Sequence, residues 1–161
     1  MNRRYFNRLL LATAALIWAA SVRAEVRLPH LFSSHMVLQR DVPVEIWGWA
    51  DKGESVQILF ADQKIKTKAD AQGRWSAKLP VRPAGGPYTL VVKGKKNTIT
   101  LDDILMGDVW VCAGQSNMEW PLNMVNNDEA EVAAANHPNV RLFTVPHNPR
   151  SIKTEDIESE W

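Results

Sequence analysis

Between residues 34 and 101 the chain is cut into short pieces. Runs of β-branched and aromatic residues alternate with Gly, Pro and Asp turn signals, and no helical periodicity competes. Val42-Pro43-Val44-Glu45-Ile46-Trp47-Gly48-Trp49 alternates as a half-buried strand does. Asp51-Lys52-Gly53-Glu54 turns the chain into Ser55-Val56-Gln57-Ile58-Leu59-Phe60. Asp70-Ala71-Gln72-Gly73 precedes Arg74-Trp75-Ser76-Ala77-Lys78-Leu79, and Pro83-Ala84-Gly85-Gly86-Pro87 breaks the chain again. Tyr88–Val92 and Asn97–Leu101 read as a closing hairpin around Gly94. Strands about every 8–12 residues with such punctuation predict a small β-sandwich-like domain, over residues 25–103.

After Leu101 the pattern changes. Val109-Trp110-Val111-Cys112 is almost continuously apolar, as in a parallel strand covered on both faces. Asn127-Asp128-Glu129-Ala130-Glu131-Val132-Ala133-Ala134-Ala135 predicts a helix, with acids in its first turn and His137-Pro138 past its end. Val140-Arg141-Leu142-Phe143-Thr144-Val145 reads as the next strand, and residues 146–161 as a polar loop. Strand, loop, helix, strand is how an α/β wound domain begins. Two such strands cannot cover their own sheet, so residues 104–161 are expected to be the truncated start of a larger α/β domain.

Residues 1–24 read as a secretory signal peptide: Arg3, Arg4 and Arg8, then apolar Leu9 to Ala20, then Val22-Arg23-Ala24. The apolar run is shorter than the ~20 residues that span a bilayer, so cleavage and export are expected, with no membrane attachment afterwards. Without the four arginines of that segment the chain carries 15 Lys and Arg against 18 Asp and Glu, a formal charge of −3. That balance argues against nucleic acid as a partner. A single cysteine, Cys112, excludes an intrachain disulfide. This suits a bacterial periplasmic or secreted protein. Its place in an apolar run predicts a buried, inert thiol.

Ser116, in Gly114-Gln115-Ser116-Asn117-Met118, lies just past the predicted strand Val109–Cys112. A strand fixes the backbone and a sharp turn after it exposes a hydroxyl, the usual setting of a hydrolase nucleophile. Such a serine needs a histidine oriented by a carboxylate. His30, His35, His137 and His147 are the only histidines, and none has a supporting carboxylate pattern in sequence. Gly114 provides either a close backbone approach or a positive φ. Gln115 and Asn117 either hold the loop or contact substrate, and Glu119 either faces substrate or is a solvated acid. The histidines and lone cysteine lack zinc-ligand spacing, no glycine-rich phosphate loop is present, and no cofactor is expected. Trp47, Trp49 and Trp75 are read as core, with a sugar-binding aromatic face as the alternative.

Three blocks, taken in order, carry a family likeness. They are Met36-Val37-Leu38-Gln39-Arg40 with Val44–Ala50, Gly73-Arg74-Trp75 with Leu79-Pro80 and Ala84–Tyr88, and Gly107–Leu122 containing Gly-Gln-Ser-Asn-Met. Together they resemble the sialate O-acetylesterase family of SGNH-type serine esterases, across essentially all of the chain after residue 24. The resemblance implies a mixed fold: an N-terminal β-sandwich-like domain followed by a flavodoxin-like α/β hydrolase domain. It implies hydrolysis of O-acetyl esters on sugars, typically sialic acids, through Ser116 and an acetyl-enzyme. It also implies a longer full-length protein, whose catalytic aspartate and histidine come late in the hydrolase domain, beyond residue 161. The 161-residue chain is therefore expected to be inactive alone. An acetyl-xylan or other carbohydrate esterase, a non-catalytic product and a carbohydrate-binding module remain alternatives, since the motif does not encode the sugar.

Overall fold

A computed structural model describes residues 25–147 and 154–161. The expected signal peptide, 1–24, lies outside the described residues. Seven strands carry the fold: β1 (Val37–Gln39), β2 (Val44–Trp49), β3 (Ser55–Phe60), β4 (Gln63–Lys68), β5 (Arg74–Leu79), β6 (Gly85–Lys93) and β7 (Thr98–Gly107). One sheet has five strands in the order β1-β7-β6-β3-β4, and β2 pairs with β5 in a second. All pairings are antiparallel except β1 with β7. The β6–β7 hairpin closes at Gly94, whose N–H donates to the Asn97 carbonyl at 3.0 Å.

Both sheets feed one apolar cluster. β2 and β5 contribute Ile46, Trp75, Ala77 and Leu79, and the larger sheet contributes Val56, Ile58, Phe60, Leu90, Val92, Ile104 and Met106. The period-2 alternation of β3 and β5 is what turns these residues to one face. No polar or charged residue is buried among the described residues. Gly48 lets the layers meet closely: a Cβ there would lie 2.1 Å from the Arg27 carbonyl oxygen and 2.9 Å from the Trp75 ring.

The sequence reading of β2, β3, β5 and the hairpin matches the structure closely. β7 runs six residues beyond the expected Leu101, to Gly107. β4 was not expected, because Gln63-Lys64-Ile65-Lys66-Thr67-Lys68 is mostly polar. It is an edge strand whose Ile65 packs on the core while its lysines face solvent. The helix is there as α1 (Asp128–Ala134), with no buried residue. The strands expected at Val109–Cys112 and Val140–Val145 are not formed. A parallel strand needs hydrogen-bonded neighbours and covered faces, and none is offered to either run among the described residues. Trp110 and Val111 are accordingly 84% and 89% exposed, and Leu142 is 78% exposed. Cys112 is exposed as well, not buried as its apolar surroundings suggested.

Candidate functional site

Sheet geometry delivers the chain to Ser116. β7 ends at Gly107, whose carbonyl accepts from the Arg40 N–H at 2.9 Å. Arg40 then grips the next residue, with Nε 2.9 Å from Asp108 Oδ1 and Nη2 3.3 Å from Oδ2. The Val109 N–H donates to Gln39 Oε1 at 2.9 Å. The hydrogen bond and charge of Asp108, joined by Asp41, hold the Arg40 guanidinium above its ordinary pKa. The end of β1 is thus a clamp on the root of the segment that carries the Gly-Gln-Ser-Asn-Met motif.

The motif itself forms a tight turn. Ser116–Glu119 is a 3₁₀ helix entered through an extended Gln115, and the Gln115 carbonyl accepts from the Met118 N–H at 2.8 Å. Gly114 serves close approach rather than a positive φ, since a Cβ there would sit 2.3 Å from Met118 Cγ. Ser116, Gln115 and Asn117 are all exposed. Among the described residues no side-chain hydrogen bond engages Ser116, Gln115 or Asn117. Ser116 opens onto a cavity of about 1520 Å³. Its walls come from the β6 start (Gly85, Gly86), the β7 end (Leu105–Gly107), the motif, residues 139–145, His147 and Trp161.

Three of the four histidines have carboxylate partners that spacing did not reveal. His30 Nδ1 lies 2.9 Å from Asp156 Oδ2, and His35 Nδ1 lies 2.8 Å from Asp103 Oδ2. His147 Nε2 hydrogen-bonds Glu119 on the rim of the Ser116 cavity. Those partners are 126, 68 and 28 residues away in the chain, so only the fold brings them together. The 3₁₀ turn, with three residues per turn, stacks positions i and i+3 and so places Glu119 on the same side as Ser116. No pair reaches the Ser116 hydroxyl.

Asp103 also receives Arg141 Nη2 at 2.9 Å. The His35 hydrogen bond, with Arg141, holds its carboxyl below the usual carboxylate range against some desolvation. Desolvation pushes Asp156 the other way, but the His30 backbone N–H, the His30 ring and the Ile157 N–H outweigh it and lower its pKa. Both carboxylates tie the segment after α1 to the β core. No group of His, Cys, Asp and Glu among the described residues is arranged to hold a metal ion.

No family model matches the chain. It is similar to sialate O-acetylesterase of Mus musculus, 29% identical over 131 residues that make up 74% of this chain and 24% of the relative. It is also similar to sialate O-acetylesterase of Homo sapiens, 27% identical over 162 residues, 91% of this chain and 31% of the relative. A crystal structure of a carbohydrate acetylesterase from Xanthomonas citri superposes with a TM-score of 0.82 at 39% identity, covering 85% of this chain and 32% of that one. The chain therefore spans between 24% and 32% of the length of these relatives. Motif blocks, sheet architecture and relatives point the same way: this chain is similar to sialate O-acetylesterases and to a carbohydrate acetylesterase, and that similarity supports a carbohydrate esterase family.

Proposed function

We propose that the full-length protein is a serine esterase that removes O-acetyl groups from sugars, with Ser116 as nucleophile. The observation that carries this reading is the placement of Ser116: the first residue of a 3₁₀ turn, exposed, and open to a cavity of about 1520 Å³. The first N–H groups of a helical turn have no intrahelical acceptor, so the Ser116 N–H is free to support an oxyanion. Gly114 and Gln115 line the cavity beside it, and Asn117 follows it in the turn.

The reaction takes two steps. The Ser116 hydroxyl, deprotonated by a general base, attacks the acetyl carbonyl, and the sugar oxygen leaves with the proton. Water then cleaves the acetyl-enzyme to acetate and restores the hydroxyl. A serine is nearly inert without a base, and no described histidine engages Ser116. The base and its orienting carboxylate are assigned to the part of the relatives' length that this chain does not span. On this reading the strands up to Gly107 form a β-sandwich-like domain, four residues longer than the sequence boundary at 103, and the chain after β7 begins a flavodoxin-like hydrolase domain. The missing neighbours explain why its two predicted strands stay unpaired. We also place the mature protein outside the cytoplasm, in the periplasm or secreted, after cleavage following Ala24.

A specific observation favours inactivity of the 161-residue chain taken alone: Trp110 and Val111, which precede the motif, are solvated rather than held in a sheet. The test measures acetate release from acetylated sialosides and acetylated xylosides. Full-length protein should turn over at least one class, Ser116→Ala neither, and the 161-residue chain neither. Mass spectrometry of a quenched reaction should find one added acetyl group on the peptide containing Ser116. Undiminished turnover by Ser116→Ala would sink the proposal.

A further inference from the structure

The two-stranded sheet has a second face. With Ile46, Trp75, Ala77 and Leu79 turned inward, β2 and β5 place Trp47 opposite Ser76 and Trp49 opposite Arg74 on the other face, where Trp47 still packs against the margin of the core. The two indoles are half-buried, their centroids 5.3 Å apart and their planes at 80°. With Asp70 from the preceding turn they border a pocket of about 240 Å³, which shares no residue with the Ser116 cavity. That volume suits a single small ring and falls below the usual span of roughly 300–1,000 Å³ for drug-sized ligands.

The polar rim is only partly used. Asp70 Oδ1 accepts from the Gln72 N–H at 2.8 Å and the Arg74 N–H at 2.9 Å, while Oδ2 has no hydrogen-bond partner among the described residues, although the carboxylate also attracts the Arg74 guanidinium. Arg74 spends one Nη2 contact on Glu155 and keeps its other donors. The Ser76 hydroxyl is likewise unengaged among the described residues. Aromatic wall and open donor–acceptor edge together match an amphipathic ring. A purely apolar ligand would make no use of the exposed Asp70 and Arg74 groups, and an anion would meet the Asp70 carboxylate. A sugar ring satisfies both sides: its C–H face packs on an indole and its vicinal hydroxyls bridge an acceptor and a donor.

We propose that this pocket is a second carbohydrate-binding site, which holds one sugar ring of a glycan against the Trp47–Trp49 pair without acting on it. Trp49 supplies the stacking surface, buttressed by the Arg27 guanidinium 5.2 Å from its centroid, and Trp47 is fixed by Phe32 at 6.2 Å. Asp70 and Arg74 read the hydroxyls. The site tethers a polymer rather than an acetyl group, so it is independent of whether Ser116 turns over.

The test titrates full-length protein with unacetylated xylo-oligosaccharide and, separately, with a sialylated oligosaccharide, following tryptophan fluorescence. At least one probe should bind saturably. Trp49→Ala should weaken that binding about tenfold or more, the scale of a lost aromatic contact, and Trp49→Phe should recover part of it. Arg74→Ala, at an exposed side chain, should also weaken it and guards against a Trp49 variant that fails to fold. Melting temperatures confirm which variants are intact. Absence of saturable binding by either probe overturns the proposal. So does unchanged affinity in intact Trp49→Ala and Arg74→Ala proteins.

Discussion

Gly48 shows how much one side chain matters in the closely packed β core. Its missing Cβ makes room for the Arg27 carbonyl and the Trp75 indole, and one of those contacts is rigid backbone. Gly48→Ala is expected to destabilise the protein by about 1–3 kcal/mol through overpacking, read from the shift of the denaturant midpoint at constant slope. Gly114→Ala should behave differently: its clash is with Met118 inside an exposed turn. Stability should hold while Ser116-dependent turnover falls in the full-length protein. Asp103 gives a pH prediction. Its folded pKa is depressed, so its contribution is fully present above the unfolded carboxylate value and is lost as pH falls through the folded one. Melting temperatures of the parent should therefore drop on acidification below about pH 4, and Asp103→Asn should flatten that drop. Asn suits the test because Asp103 sits at φ 56°, a left-handed conformation that Asn tolerates. Ser116 and its glycine were legible in sequence because their signal is local. The carboxylate partners of His30 and His35 were not, because only the folded chain joins them.

Among the elements, strands that face the core were easy to read and those that face water were not. β3 and β5 alternate large apolar residues with polar ones, and the alternation is the burial pattern. β4 alternates too, but with lysine as the outward residue and only Ile65 packed on the core, so its apolar signal is faint. Lys64, Lys66 and Lys68 also fit its position at the end of the larger sheet. Charged residues on an edge strand oppose pairing with a second chain. Lys64→Val with Lys66→Val should leave the monomer folded yet promote association, seen as rising mass in light scattering at increasing concentration. The failed strands at Val109–Cys112 and Val140–Val145 teach the reverse. Their apolar character is real, but a strand is a property of a pair, and no partner strand is present among the described residues.

For the whole molecule the contrast is between a packed β core and an apolar segment left open to water. Val111, Leu142 and Val145 are 89%, 78% and 63% exposed, whereas the strands enclose a shared core. Limited proteolysis of the 161-residue chain should cut first within residues 109–147 and leave a resistant fragment ending near Gly107. Cys112 should react readily with a thiol reagent in that chain and slowly in full-length protein, where a completed sheet would cover it. The β1–β7 pairing adds a consequence for biosynthesis. β1 is the first strand and β7 the last, and their register matches Val37 with Leu105. The larger sheet therefore gains its outermost strand only after Gly107 has been made, when nearly everything up to the motif already exists. The same pairing carries the Arg40 and Gln39 clamp on residues 107–109. Closing the larger sheet and anchoring the root of the serine segment therefore depend on the same pair of strands.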